Sequence, residues 1–443
     1  MKTPAQVRAA KGKAADRKRV AARWLRRALL ATTLVLILHT ASVTPEQQFD
    51  LRLSPLIDGQ RFDWVSWEAN AVWQELDWWL QGSRLAGDAA SQRAEVLRFL
   101  DREQRVGELG RRMGVAGAGL PQPRLASPMT GYAAVLPAAT PFEDQWEALY
   151  RQQQEAASRV ERIVSTQVTR VLVAHRLGSG DAVWPPVAFR FNDMPAYLII
   201  SPREKILLYR GVFLVSDVAD VDRMRAEGVI ESNLDVSALV DDVGGIGSWP
   251  TMVMRTGSLR DLLDTVAHEW VHTYLFFRPL GIRYGESRDL TTMNETAASI
   301  VGAEVAELVI RDSYADVADA PRVADGAETG EDYSQPDEFS LSLRRIRHSV
   351  DELLAAGTVF EAERFMEAER EHLVAGGYHL RRLNQAYFAF HGSYATSPAS
   401  ADPIGPWMRE LRAQSGSLKA FLERTAQMRS LDDLLRAVGH RSS

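Results

Sequence analysis

His268-Glu269-Trp270-Val271-His272 decides how the rest of the chain is read. Two histidines four residues apart project from one face of a helix and can hold one metal ion together. The glutamate between them is placed to take a proton from a water on that ion. The flanking residues predict the helix. Ser258 before Leu259-Arg260-Asp261 is a capping-type start, and Leu259, Leu262, Leu263, Val266, Val271 and Leu275 recur at helical spacing. Arg278-Pro279-Leu280-Gly281 predicts a stop near Phe277.

A second helix start is expected at Thr291-Thr292-Met293-Asn294-Glu295. On a wheel of about 100° per residue, Glu295 shares its face with Ala298, Ser299, Gly302 and Ala306. All four neighbours are small, so another helix can come close to a face that carries one carboxylate. A catalytic zinc takes three protein ligands and keeps a fourth position open, and His268, His272 and Glu295 would complete such a set. Glu304, Glu307 and Glu286 compete as third ligand, and Asp264 is a candidate partner for a ligand histidine. Plainer readings stand beside these. Histidines on an apolar helix also fit ordinary hydrogen-bonded core residues, and Glu295, three after Thr292, also fits the acid of a capping box.

His268-Glu269-x-x-His272 followed by Asn294-Glu295-x-x-Ala298 resembles the zincin metallopeptidases of the gluzincin type, in which a glutamate on a later helix is the third ligand. The resemblance covers Ser258 to Ala306, roughly a tenth of the chain. It implies one Zn2+ per chain, Glu269 as general base, and a peptide or protein substrate. Gly244-Gly245-Ile246-Gly247, leading on to Val253, would be the edge strand on which such enzymes pair an extended peptide. Two departures stand out. The separation of His272 and Glu295 assigns the chain to no named gluzincin family, and Ser299 stands where thermolysin-like members carry an aspartate. Tyr387, His391 and Tyr394 are the candidate donors to a tetrahedral oxyanion.

Ten basic residues and one acid precede residue 28, and Ala28 to Val43 is free of charge. That order predicts a basic cytoplasmic tail over 1–27 and a transmembrane signal anchor over 28–43, with the remainder exported; a cleaved signal peptide is the rival. Without residues 1–43 the chain has 42 basic against 57 acidic residues, a net charge of −15. So acidic a region is a poor partner for nucleic acid. The absence of cysteine excludes disulfides and thiolate metal sites. Oligomeric state is not legible.

The expected fold class is α+β, mostly helical. A tryptophan-rich helical region spans 44–113, with two helices between Phe62 and Arg112, and a linker follows over 114–140. A zincin-like core spans 141–312, an acidic loop 313–338 and a C-terminal helical region 339–443. Within the core, Phe142 to Leu177 reads as one helix. Val187 to Phe191, Ala196 to Ile200, Ile206 to Tyr209 and Trp249 to Met254 read as strands of a small sheet beside the HExxH helix. Phe339 to Ala356, Phe360 to Ala375, Tyr378 to Phe390 and Pro406 to Val438 read as helices.

Two other classes of function compete. Glu269-x-x-His272 and Glu369-x-x-His372 are both E-x-x-H, the pairing of a di-iron carboxylate bundle. A zincin-like fold could also serve as a non-catalytic membrane scaffold.

Overall fold

The computed structural model describes residues 44–80, 85, 87–112, 141–216, 220–315, 338–392 and 403–440. The predicted basic tail, membrane anchor and 114–140 linker lie outside these residues, as does 316–337 of the acidic loop. No helix among the described residues is long and apolar enough to cross a membrane.

The described residues 44–58 belong to a unit separate from the rest. Its described part is α1 (Pro45–Leu53), opened by a Thr44 capping box with Gln47, and a 3-10 turn at Ser54–Leu56. The second unit begins at Gly59 and is α+β, mostly helical with small sheets. It opens with α2 (Trp64–Leu80), α3 (Ala89–Arg112) and α4 (Pro141–Ala174). α4 turns an apolar stripe at helical spacing inward: Val160, Val164 and Val168 are fully buried in the main core.

The sheet region differs from expectation. Among the described residues there are two three-stranded sheets and a two-stranded hairpin, β1 (Gly178–Ser179) with β2 (Ala182–Val183). After β3 (Phe189–Asn192) and β4 (Ala196–Pro202), the strand expected at Ile206–Tyr209 instead forms at β5 (Arg210–Leu214). The register explains the shift: Arg210 to Leu214 pair antiparallel with Ile200 to Ala196, which brings Phe213 opposite Tyr197. Then come α5 (Asp220–Leu234) and β6 (Val236–Asp241), neither of them anticipated. Strands order as β5-β4-β6 in one sheet. In the other, β7 (Gly245–Ile246) is an edge strand, antiparallel to β8 (Thr251–Met254), which pairs in parallel with β3.

The HExxH helix is α6 (Leu259–Phe276), capped by the Ser258 side chain on Asp261 N as read from the sequence. A short α7 (Pro279–Ile282) leads to α8 (Arg288–Ser313). Here the expected start is corrected. The cap is Ser287, whose hydroxyl accepts from Leu290 N, so Thr291 and Thr292 already lie inside the helix. Glu295 is therefore about two turns in and is not the acid of a capping box. The pair α6–α8 is the most extensive helix packing in the unit. Gly302 makes it possible: a Cβ there would stand 2.4 Å from Asp264 Oδ1, 3.0 Å from the Asp264 carbonyl oxygen and 3.2 Å from His268 Cβ.

The C-terminal region is not one body of helices. α9 (Glu338–Ala355), α10 (Val359–Ala375) and α11 (Gln385–His391) form a separate apolar cluster with Ile199 of β4 and Leu239 of β6. α12 (Ile404–Gln414), α13 (Leu418–Ala426) and α14 (Leu431–Val438) join the main core beside α8. Pro406 to Val438 thus holds three helices, because Ser417 and Ser430 each cap a new start. The helix expected from Tyr378 begins only at Gln385, where Asn384 caps it.

The close approach of α6 and α8 yields a first prediction. Gly302→Ala should cost about 1–3 kcal/mol of overpacking, read as a lower denaturation midpoint of the metal-free protein. An unchanged midpoint would show that the contact is loose.

Candidate metal centre

His268 and His272 leave α6 on the side that meets α8, and Glu295 leaves α8 toward them. His272 Nε2 is 3.1 Å from His268 Nε2. Glu295 Oε2 lies 3.5 Å from the first histidine's Nε2 and 3.4 Å from the second's. Among the described residues, these three side chains are the group able to hold a metal ion. Glu295 Oε2 is buried and has no hydrogen-bond partner of its own. A buried carboxylate oxygen with no aligned hydrogen bond, facing two imidazole nitrogens, calls for a cation at that point, either a protonated histidine or a metal ion.

The surrounding hydrogen bonds orient the donors. Asn294 Oδ1 accepts from His272 Nδ1 at 2.9 Å, which leaves the Nε2 lone pair for a metal. Tyr284 Oη donates to Glu295 Oε1 at 2.7 Å, so the other carboxylate oxygen is the one that faces the histidines. The Tyr284 ring also stands edge-on to His272. Neither role is legible in the sequence. Asn294 reads there only as part of the motif, and Tyr284 lies in the connection between the helices, where the sequence shows only a breaker. Asp264, the partner proposed for His268, interacts with it through charge, and its Oδ1 is buried without a hydrogen-bond partner. Burial pushes the Asp264 carboxyl up to about 6, while His268 pulls it down.

The competing carboxylates are all committed to arginines. Glu304 forms a two-pronged pair with Arg412 at 2.8 Å, Glu307 pairs with Arg260, and Glu286 with Arg283 at 2.6 Å. Glu369 and His372 sit on α10, His372 exposed, and are not part of the group, so the di-iron pairing is not formed.

Glu269 is buried beside the two histidines. Its burial pushes the carboxyl up, against the pull of His272 and His268. The edge strand lies directly on it. A Cβ at Gly245 would stand 2.5 Å from Glu269 Oε1, and one at Gly247 2.9 Å from His272 Cβ. Only glycine lets the backbone come so near both groups without something shifting. Thr273 Oγ1 donates to the Ser248 carbonyl at 3.3 Å and ties the strand's end to α6.

The residues expected to donate to an oxyanion are engaged elsewhere. His391 Nε2 is 2.8 Å from Asp241 Oδ2 on β6, and the Tyr387 ring packs on His391. Tyr394 lies outside the described residues. Another tyrosine has an electrostatic link to the centre instead: burial raises the Tyr197 pKa, and the charge of Glu295 raises it further.

No family model, curated protein or solved structure matches the chain. Function is therefore argued from the site itself.

The electrostatics predict how a metal enters. Burial opposes charge on His272, yet Glu295 beside it lifts the imidazole to about 9. Burial likewise opposes charge on Glu295, yet His272 and His268 hold its carboxyl well below the usual carboxylate range. At neutral pH a divalent metal must displace the His272 proton. Calorimetry in buffers of different ionisation enthalpy should show about one proton released per metal at pH 7, with affinity rising about tenfold per pH unit and levelling near pH 9. Binding without proton release would contradict that charge state.

Proposed function

We propose that the chain is a membrane-anchored, zinc-dependent peptidase of the gluzincin type that hydrolyses peptide bonds outside the cytoplasm. The observation that carries this reading is the triangle of His268 Nε2, His272 Nε2 and Glu295 Oε2, with edges of 3.1, 3.4 and 3.5 Å. Tetrahedral zinc with bonds of about 2.0–2.1 Å separates its ligands by about 3.3–3.4 Å. The triangle has that size. Two imidazoles and one carboxylate are also a catalytic rather than a closed donor set, since they leave the fourth position open.

A zinc ion there supplies Lewis acidity, lowering the pKa of a bound water to about 7 and polarising a carbonyl oxygen. The remaining work falls to the chain's own residues. Glu269 accepts the water's proton on its carboxylate and returns it to the leaving amine. Burial favours the protonated form that the carboxyl needs between those two events. Asn294 holds the His272 ring and Tyr284 holds the Glu295 carboxylate, so neither ligand has to reorganise. An extended peptide added along β7 would lie over Glu269, because Gly245 and Gly247 bring that strand onto it. The run Ala28 to Val43 and its basic flank support anchoring in a membrane.

The test compares three variants in metal content and peptide hydrolysis. Glu269→Gln should keep the metal and lose about 10²–10⁴-fold in turnover. His268→Ala and His272→Ala should lose both. Metal binding in the parent chain with no hydrolysis of any peptide library would leave the non-catalytic scaffold as the correct reading.

A further inference from the structure

α2 presents two apolar faces, and only one of them is packed. Its inward face is fixed. Trp67 Nε1 donates to Asn192 Oδ1 at 3.3 Å, Glu75 pairs with Arg162 and with Arg190, and the Arg162 guanidinium lies over the Trp78 ring. The helix cannot roll without breaking these contacts. On the opposite side, Val65, Ala69, Val72, Trp73, Leu76 and Leu80 fall within an arc of about 100° at the helical period. Val65 is 76% exposed, Trp73 68%, Leu76 41% and Leu80 83%. A helix that is apolar on both sides belongs in a core or against a membrane.

We infer that this outer stripe of α2 lies in the surface of the lipid bilayer. Two observations favour lipid over a second copy of the chain. A stable protein interface takes about 20–30 residues a side, and the stripe offers six. Interfacial insertion has no such threshold, since it scales with apolar area, and tryptophan favours the headgroup boundary. The second observation is position. Val65 follows the uncharged run Ala28–Val43 by 22 residues, so α2 is at most ~80 Å of extended chain from that run. α2 contains no lysine or arginine, so its attraction to lipid is apolar and should not require anionic headgroups. The inference rests on the membrane-anchored reading of residues 28–43.

The chain has no cysteine, which makes single-site labelling clean. Leu76→Cys and Leu80→Cys would each carry a nitroxide in the full chain, reconstituted in phosphatidylcholine vesicles. Phe360→Cys on α10, 69% exposed in the parent, is the reference. Labels at 76 and 80 should collide several-fold less with a water-soluble nickel chelate than the label at 360, and more with oxygen. Equal collision rates at all three positions would overturn the inference. So would dipolar broadening between labels at position 80 on two chains, which would assign the stripe to a second copy. Alkaline extraction of the same vesicles reports on the anchor separately. Release of the chain would count against the anchor, while label depth would still decide for or against α2.

Discussion

Everything at the candidate centre depends on how closely α6 can approach α8. Three donor atoms from two helices meet within 3.5 Å where α8 presents Gly302 to Asp264 and His268 of α6. Ridges of larger side chains would hold two helix axes about 8–10 Å apart or more. At Gly302 even a methyl group would strike the Asp264 carboxylate and crowd its carbonyl. Around this contact the core is apolar and continuous, from Val160 of α4 through Trp270 and Val271 of α6 to Val301 and Val305 of α8. Trp270 also donates its indole N–H to the Pro185 carbonyl at 2.8 Å, which fixes α6 against the segment before β3.

Charge is distributed to suit one occupant. Glu304, Glu307 and Glu286 are each paired with an arginine, and Glu295 is not. Its second oxygen faces the histidines, and a metal ion would displace the proton that His272 carries beside it. Glu269 stands beside this group without belonging to it, under the edge strand Gly245–Ile246, which Gly244 and Gly247 flank. On the proposed reading, the hydrolytic groups and the strand that would pair with an extended substrate belong to adjacent parts of the same packing.

Local features were legible in the sequence and long-range ones were not. The Ser258 cap and the leucine and valine spacing sufficed for α6, and wheel arithmetic placed Glu295 on the side that meets it. The small residues around Glu295 correctly indicated a close helix contact. The start of α8 is not legible, because Thr291 and Thr292 have the look of a cap while Ser287 one turn earlier takes that role. Val236 to Asp241 does not read as a strand because it lacks apolar–polar alternation, Ala238, Leu239 and Val240 all being buried in succession, and α5 before it is too polar to show a clear stripe. Tyr284 and Asn294 acquire meaning only when the helices are assembled. Tyr387 and His391 looked like site residues because they combine polar tips with aromatic bodies, and they are committed to β6 and to each other.

On the proposed reading, His268, His272 and Glu295 form one zinc site. Elemental analysis of the full chain, purified without added metal, combined with X-ray absorption at the metal edge, tests it most directly. The expected result is about one zinc per chain, bound by two imidazoles and one carboxylate, with Glu295→Gln altering that ligand set. About two irons per chain, or a zinc whose ligand set is unchanged in Glu295→Gln, would contradict it.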